Sequence, residues 1–313
     1  MINATWYESN VDVMKAAIEA KVHYVDMGGL FHVTRKQMEL DENAKGAGVT
    51  AVLGAGESPG ITNVMCACSA KEMESVEAVK IRAGARDISD SHQGKLVFPF
   101  AVSTVFDEYS KPPIIFLNGK FEQVEPLSGE EEVLFPNPVA KQYCHYSIHS
   151  EVATLPLSFN GVRHVDFKLG ISEEIYRAMK PLVDAGMAST EPIDVKGRQV
   201  SPRDFAISFL TSRAADVEAS RYVALRTEVT GVRKGRRVMQ VREIVEGPSE
   251  RMGIRNATAL LTGIGASITA QLIVRKQIDQ TGALAPESCI PTSIFVKELV
   301  ERKIRMTTEE KQL

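Results

Sequence analysis

A glycine-rich loop between a predicted strand and a predicted helix constrains the fold of this chain more than any other feature. Residues 49–65 read VTAVLGAGESPGITNVM, in which Gly54, Gly56 and Gly60 follow an apolar run and a helix begins at Pro59. Such a loop is typical of dinucleotide-binding folds, where it normally follows the first strand. Here a strand–helix unit and a second strand precede it, and Pro59 lacks the N–H that a phosphate needs. The loop therefore indicates parallel β-α-β units, with either an unusual cofactor loop or a cofactor domain that lacks its first half.

Two kinds of periodicity divide the chain into two predicted domains. Strands and helices alternate up to about residue 76, as in parallel β-α-β units. Short β-rich runs then dominate, and one of the predicted strands covers Tyr143–Phe159. We therefore expect an α/β fold. An incomplete Rossmann-type domain with a parallel sheet, residues 1–76 and 250–313, surrounds an inserted α+β domain with a mainly antiparallel sheet, residues 77–249.

Charge and composition argue against several classes of function. The net charge of the 313 residues is −3, which is not expected of a general nucleic-acid-binding protein. The cysteines lack the spacing of a metal site, so no metal is expected, and reduced thiols in a cytoplasmic protein are the simplest interpretation. The uncharged segment Asn256–Val274 is just long enough to cross a bilayer, but its polar and glycine residues favour a helix buried between domains or subunits.

Several separated motifs carry a resemblance to a known family. They are INATWYESNVDVMKAAIEAKVHYVDMGG (2–29), GVTAVLGAGESPGITN (48–63), VEPLSGEEEV (124–133), FKLG (167–170), VSPRDF (200–205), and GIGASITAQLI with GALAPE within 263–287. Together they resemble proteins of the saccharopine dehydrogenase family, in particular the branch that includes lysine 6-dehydrogenase. The resemblance covers nearly the whole chain.

The resemblance implies an NAD(P)-dependent oxidoreductase that transfers a hydride at an amine-bearing carbon of an amino acid or related amine. It also implies a homodimer, formed through the sheet of the inserted domain. Met1 would correspond to the middle of the Rossmann sheet, so that roughly 80 residues, the first mononucleotide-binding half, are absent. The loop at 54–60 would then be a later turn near the nicotinamide and the substrate. The residue that selects NAD or NADP would lie in the missing part.

Candidate cofactor and substrate contacts lie where the strands of the parallel sheet end, the usual ligand-binding edge of such folds. The predicted cofactor-binding residues are Asn3, Ala4, Thr5, Asp26, Gly28 and Gly29. Glu57 and Gly60 lie on the same edge and are predicted to bind substrate. The backbone amides of Gly60, Ile61 and Thr62, at a helix N-terminus, are expected to be free to bind a substrate carboxylate.

The inserted domain supplies a candidate acid–base pair and two candidate arginines. His149 and Glu151 are two residues apart, so on the predicted strand both side chains point into one cleft; an exposed polar strand face is the alternative. Members of the lysine 6-dehydrogenase type have a different sequence in the segment around His149 and Glu151, which argues against lysine as the substrate. Arg163 and Arg203 are predicted to bind substrate carboxylates, which a guanidinium matches with two parallel hydrogen bonds.

The missing pyrophosphate loop leaves other functions open. A chain that truly begins at Met1 would be a non-catalytic binding or assembly protein, because its dinucleotide affinity would be lost. Its open sheet edge would invite pairing with another chain. That chain would be a second copy, or a separate N-terminal Rossmann segment that completes the enzyme. In the remaining alternative, the complete protein is longer and is an ordinary enzyme.

Overall fold

The fold consists of two sheets and the helices that connect and cover them, in a computed structural model that describes residues 1–88, 98, 100–170, 172–213 and 220–313. The first stretch contains β1 (Ile2–Asn3), α1 (Asn10–Glu19), β2 (Tyr24–Asp26), α2 (Phe31–Met38), α3 (Asp41–Ala47), β3 (Thr50–Val52) and α4 (Ile61–Ala70). The middle stretch contains β4 (Ser75–Asp87), α5 (Val102–Ser110), β5 (Ile114–Leu117), β6 (Lys120–Gln123), β7 (Glu131–Leu134), β8 (Lys141–Tyr146), α6 (Glu151–Ser158), β9 (His164–Gly170), α7 (Glu173–Asp184), β10 (Ile193–Val195), β11 (Arg198–Val200), α8 (Pro202–Arg213), β12 (Arg221–Arg233) and β13 (Arg236–Glu246). The last stretch contains α9 (Ala257–Val274), β14 (Gly282–Leu284), α10 (Pro286–Cys289), α11 (Thr292–Glu301) and β15 (Met306–Gln312).

The smaller sheet is parallel, as predicted. Within the described ranges its strand order is β1-β2-β3-β14, with Asn3 opposite Asp26 and Tyr24 opposite Ala51. Strands β2 and β3 are buried along their whole length, as expected where helices cover both faces of a parallel sheet. Because the strands run in one direction, their carboxyl ends meet at one edge. That edge carries the glycine-rich loop after β3.

The larger sheet is mainly antiparallel, which confirms the predicted fold class. In the part of the chain that the structure describes, its order is β15-β13-β12-β4-β9-β5-β6, and β8 pairs with both β9 and β7. Only β4 and β9 run parallel among these described strands. The last strand, β15, pairs with β13, although our prediction assigns residues 250–313 to the parallel domain. The domain boundaries therefore stay a prediction.

The uncharged helix α9 is a core element that packs against both sheets. Among the described residues it is the one helix long and apolar enough to cross a membrane, and 56% of it is buried inside the protein. It contacts β2 and β12, and Leu261, Ile268 and Leu272 are fully buried. Burial of each such side chain contributes about 1.5–3 kcal/mol. Gly265 brings the helix close to the glycine-rich loop, because an added Cβ would lie 2.7 Å from the Ala55 carbonyl oxygen.

The predicted strand Tyr143–Phe159 is wrong in its second half. Strand β8 ends inside this range and helix α6 begins after it. Alternating polar and apolar residues favour a strand here, and Pro156 is unfavourable inside a helix. The contacts of α6 outweigh these local preferences: the hydroxyl of Ser150 donates to the carbonyl of Gly29, and Leu155 is fully buried in the core. Long-range packing therefore decides the structure of this segment.

Candidate active site

A cavity of about 680 Å³ opens between the larger sheet and the glycine-rich loop. Strands β4, β9 and β12, helices α5 and α9, and the loop after β3 contribute to its walls. Its polar wall residues include Glu57, Arg86, Asp87, Glu108, Tyr109, Gln142, Arg221 and Thr258. Cavities of this size hold small molecules, and the converging polar groups would orient one.

Glu57 brings a buried carboxyl from the glycine-rich loop to the cavity wall. Its Oε2 atom is buried and has no hydrogen-bond partner among the described residues. Burial raises the pKa of Glu57 to about 8, although a hydrogen bond with Thr258 and the charge of Arg221 act in the opposite direction. A carboxyl in this environment is neutral until a positive charge approaches it. Glu57 was predicted to bind substrate, and its position on the cavity wall fits that prediction.

A second buried carboxyl, Glu108, reaches the same cavity from helix α5. Burial raises the pKa of Glu108 to about 8; the charge of His149 lowers it and that of Asp107 raises it. Next to it, the buried hydroxyl of Tyr109 has no hydrogen-bond partner among the described residues. The cavity therefore contains two carboxyls that burial holds near neutrality and that an incoming cation would ionise.

His149 and Glu151 form a buried ion pair behind this wall. The imidazole Nδ1 of His149 bonds to a carboxylate oxygen of Glu151, whose other oxygen accepts from Ser58 at 2.5 Å and from Thr62 at 2.8 Å. Burial alone lowers the pKa of His149, but the charge and hydrogen bond of Glu151 and the charge of Glu108 outweigh it and raise the pKa. Burial raises the pKa of Glu151, but the charge and hydrogen bond of His149 outweigh that effect and lower it.

The two residues of this pair meet for a different reason from the predicted one. Glu151 opens helix α6 and His149 lies in the segment before it, so strand alternation does not place them. The His149 ring also stacks on Phe167 of β9, with 3.8 Å between ring centroids. The helix start and this stacking together hold the imidazole against the carboxylate, and the acid–base assignment stays a prediction.

The carboxyl edge of the parallel sheet presents small residues to solvent. The predicted cofactor residues on it are Asn3, Ala4, Thr5, Gly28 and Gly29. Ala4 and Thr5 are exposed and the two glycines are half-buried, whereas the Asn3 amide is buried and donates to Asn10. Gly28 packs on the glycine-rich loop, because an added Cβ would lie 2.7 Å from Cδ of Pro59. The carboxyl edge and the glycine-rich loop are therefore neighbours.

Asp26 organises this edge from inside the protein. Its fully buried carboxylate accepts hydrogen bonds from the Gly28 amide at 2.8 Å, the Gly54 amide at 2.7 Å and the Gln37 side chain at 2.7 Å. Burial raises the pKa of Asp26, and these hydrogen bonds oppose the rise. Asp26 joins the loops after β2 and β3, so its carboxylate is occupied inside the protein and positions the edge.

The prediction that the amides at the start of α4 are free is wrong. Gly60 donates to the Asn63 side chain at 2.9 Å, Ile61 to the Gly56 carbonyl at 3.0 Å and Thr62 to the Glu57 carbonyl at 3.1 Å. These amides therefore have no free N–H for a substrate carboxylate or for a phosphate. The glycines of the loop allow close packing instead: an added Cβ on Gly56 would lie 2.9 Å from the Met27 carbonyl oxygen.

Neither predicted arginine lies on the cavity wall. Arg163 is an exposed residue just before β9. Arg203 is buried and pairs with Asp107 at 2.8 Å, with its guanidinium 5.9 Å from the centre of the Trp6 ring. That charge is already neutralised inside the protein. Carboxylate binding by Arg163 and Arg203 stays a prediction without support from their positions.

Sequence reasoning missed two wall residues, Glu108 and Arg221. Arg221 is the only charged residue in the first five of β12, RYVAL, and such a charge at the start of an apolar strand is a usable signal. Glu108 lies on a face of α5 that is buried in the structure. Of the four residues that precede it and the four that follow it, three in each set are polar or aromatic. No local pattern distinguishes it from a surface carboxyl.

Two family models match the chain with almost no gap. The saccharopine dehydrogenase NADP-binding domain matches residues 1–52, and the saccharopine dehydrogenase C-terminal domain matches residues 56–304. The chain belongs to the saccharopine dehydrogenase family. The predicted resemblance is thereby confirmed, and the NADP-binding match covers the carboxyl edge described above.

The curated relatives of this chain have names that refer to amine compounds. Carboxynorspermidine synthase of Vibrio alginolyticus is 25% identical in an alignment of 217 residues that covers 64% of this chain and 50% of that protein. Carboxyaminopropylagmatine dehydrogenase of Synechocystis is 21% identical in an alignment of 312 residues that covers 95% of this chain and 76% of that protein. The chain spans about half the length of the Vibrio relatives that it matches.

Two solved structures share the fold. Apo saccharopine dehydrogenase (L-Glu forming) of Saccharomyces cerevisiae aligns with a TM-score of 0.72 at 16% identity, over 99% of this chain and 84% of the yeast chain. Homospermidine synthase of Legionella pneumophila in complex with NAD aligns with a TM-score of 0.68 at 9% identity, over 99% of this chain and 75% of the other. At these identities the likeness describes the architecture alone.

Proposed function

We propose that this family member works as an NAD(P)-dependent oxidoreductase that transfers a hydride at the amine-bearing carbon of a cationic amine or amino acid. The observation that carries the proposal is the pair of buried carboxyls, Glu57 and Glu108, on the wall of one cavity, each with its pKa raised to about 8 by burial. A substrate ammonium would supply the positive charge that these carboxyls lack. The polyamine-like names of the relatives support the same class of substrate and favour it over lysine.

Residues of this chain would bind the amine and transfer its proton. When bound, a nicotinamide supplies or accepts the hydride, and the small residues Ala4, Thr5, Gly28 and Gly29 would hold its ring at the sheet edge. Glu57 and Glu108 bind the amine. Glu108 exchanges the amine proton, and the protonated His149 beside it, held by Glu151, sets the charge of that carboxyl.

The nucleotide phosphates would have to be held outside the glycine-rich loop, because the loop amides are already bonded within the protein. This favours the alternatives raised by the sequence in which an N-terminal Rossmann half, on a separate chain or in a longer form of the protein, completes the site. Strand β1 is the edge of the described parallel sheet, and its Ile2 is 45% exposed, so that edge would accept another strand. A non-catalytic binding protein is the rival outcome of the same test.

We also propose a cytoplasmic homodimer. The four cysteines are free thiols in the structure, as expected in a reducing compartment. The larger sheet offers the surface for self-association. Gel filtration with light scattering would give the mass of the assembly, and a monomer at micromolar concentration would contradict the dimer.

A cofactor titration tests the function. The chain is titrated with NADH and NADPH while nicotinamide fluorescence is followed, and is then incubated with NAD⁺ or NADP⁺ and a panel of diamines and amino acids. We expect saturable cofactor binding and amine-dependent reduction that Glu108→Gln lowers about 10²- to 10⁴-fold. Glu132→Gln is the matched control and should leave the rate unchanged, because the Glu132 side chain is exposed on β7 and lies outside the cavity wall. Failure of both nucleotides to bind would favour the non-catalytic alternative.

A further inference from the structure

Arg221 places an incompletely bonded guanidinium in the cavity. It opens β12, is 7% exposed, and its Nε atom has no hydrogen-bond partner among the described residues. Its ion pair within the described chain is to Asp87, at 3.9 Å, which is longer than a hydrogen bond. Burial lowers the pKa of Arg221, and the charges of Asp87 and Glu57 oppose that effect. The guanidinium therefore retains the capacity to bind an anion.

Glu57 presents a carboxyl, which a bound ammonium would ionise, from the other side of the same space. It lies in the loop after β3, whereas Arg221 comes from the larger sheet, and both line the cavity together with Thr258 of α9. The two charged groups affect each other's pKa. Each nevertheless retains a buried polar atom without a partner among the described residues, Oε2 of Glu57 and Nε of Arg221. Buried polar atoms without partners cost free energy, and a bound ligand that supplies the missing partners recovers it.

We infer that Glu57 and Arg221 form a subsite for an amino-acid head group, in which Arg221 binds the carboxylate and Glu57 binds the ammonium. One molecule that carries both charges supplies the two missing partners at once. An amine alone leaves Nε of Arg221 without a partner among the described residues, and a carboxylate alone leaves Oε2 of Glu57 without one. The inference rests on the proposed function for its biological meaning, and it restricts the substrate or product to molecules with an amino-acid end.

Three matched probes separate these cases. L-Norvaline carries the complete head group, butylamine is norvaline without its carboxylate, and pentanoate is norvaline without its amine. Binding to the full chain is measured by isothermal titration calorimetry without nucleotide, so that the result does not depend on the cofactor. We expect norvaline to bind more tightly than either single-charge probe by about 10- to 100-fold, the usual effect of one charge-assisted hydrogen bond.

Substitutions test which residue binds the carboxylate of the probe and which binds its ammonium. Arg221→Gln should weaken norvaline and pentanoate by about 10- to 100-fold and leave butylamine unchanged, whereas Glu57→Gln should weaken norvaline and butylamine and leave pentanoate unchanged. Arg237→Gln is the matched control and should leave all three affinities unchanged, since Arg237 lies outside the cavity wall and its Nε already donates to Glu77 at 2.7 Å. Thermal melting of each variant confirms that it is folded.

Three results would overturn the subsite. They are norvaline binding no tighter than butylamine, unchanged norvaline affinity in Arg221→Gln, or equal losses of norvaline and butylamine in that variant. Failure of the proposed function is a separate outcome. A chain that binds norvaline as expected but does not bind or reduce a nicotinamide nucleotide keeps the subsite and loses the oxidoreductase proposal.

Discussion

Removal of the Glu151 carboxylate tests the buried acid–base pair most sharply. The side chain is fully buried, and it accepts hydrogen bonds from Ser58 and Thr62 besides its pairing with His149. Glu151→Ala removes all three interactions and leaves the imidazolium of His149 without its nearest counter-ion. Breaking a buried pair from one side costs about 3–5 kcal/mol. Against a typical total stability of about 5–15 kcal/mol, this is a large loss.

Glu151→Gln separates the charge from the hydrogen bonds. The amide oxygen still accepts from the two hydroxyls, and the amide N–H can donate to a neutral His149. The expected cost is therefore smaller, about 1.5–3 kcal/mol, the value of hydrogen bonds to a charged group.

The pH dependence of the difference between wild type and Glu151→Gln follows from the two pKa shifts. The pKa of His149 is raised in the folded state, so its contribution to stability is complete below the ordinary histidine pKa of 6.5 and is lost as the pH rises through the higher folded value. The pKa of Glu151 is lowered, so its contribution is present above the ordinary glutamate pKa of 4.5 and is lost as the pH falls through the lower folded value. The difference in stability should be largest between these two ordinary pKa values.

Urea unfolding, followed by far-ultraviolet circular dichroism at several pH values, measures these differences. Glu132→Ala removes a carboxylate of which 55% is exposed and should leave the unfolding midpoint unchanged. A loss below about 1 kcal/mol in Glu151→Ala would refute the buried ion pair, because that is the size of an exposed pair. A difference between wild type and Glu151→Gln that does not vary with pH would refute the assignment of charge to His149.

Two further substitutions test the loop and the cavity. Gly265→Ala should lower the melting temperature, because its Cβ would lie 2.7 Å from the Ala55 carbonyl oxygen. Gly263→Ala is the control in the same helix: its Cβ meets nothing within 4 Å, and the substitution should raise the free energy of unfolding by about 0.5–1 kcal/mol. Equal melting temperatures for the two variants would contradict the close approach of the helix to the loop. Butylamine affinity should fall as the pH drops below about 8, where Glu57 becomes neutral beside Arg221, and Glu57→Gln should remove this dependence. Calorimetry across the pH range measures it, and an unchanged pH profile in Glu57→Gln would assign the titration to another group.

Local sequence patterns predict the parallel half of the fold and the antiparallel character of the rest. The strand–helix alternation around the glycine-rich loop and the hairpin turn at Lys234–Gly235 are determined by nearby residues. Helix α6 was missed because its packing partners, such as the loop at Gly29, lie more than a hundred residues away. The amides of residues 60–62 were expected to be free because the sequence does not show that the loop folds back to accept from them.

The candidate site was only partly predictable for the same reason. Glu57 and the pair His149–Glu151 stand out by residue type near a loop or a strand end. Arg221 and Glu57 line the same cavity although they are 164 positions apart in the sequence, and no local sequence pattern predicts that they lie together. Arg203 has the residue type of a carboxylate binder, yet its partner is Asp107 inside the protein. Burial and long-range pairing, which decide these roles, depend on the tertiary fold.

The most direct test of an amine site beside the nicotinamide is an interligand nuclear Overhauser measurement on the chain with NADP⁺ and L-norvaline. Gly28, on the carboxyl edge of the parallel sheet, packs against Pro59, two residues from Glu57, so a nicotinamide bound at that edge and an amine bound at Glu57 should be neighbours. We predict magnetisation transfer between the nicotinamide C4 proton and the norvaline α-proton, and its loss in Glu57→Gln. Binding of both ligands without any transfer between these protons would contradict the placement of hydride transfer in this cavity.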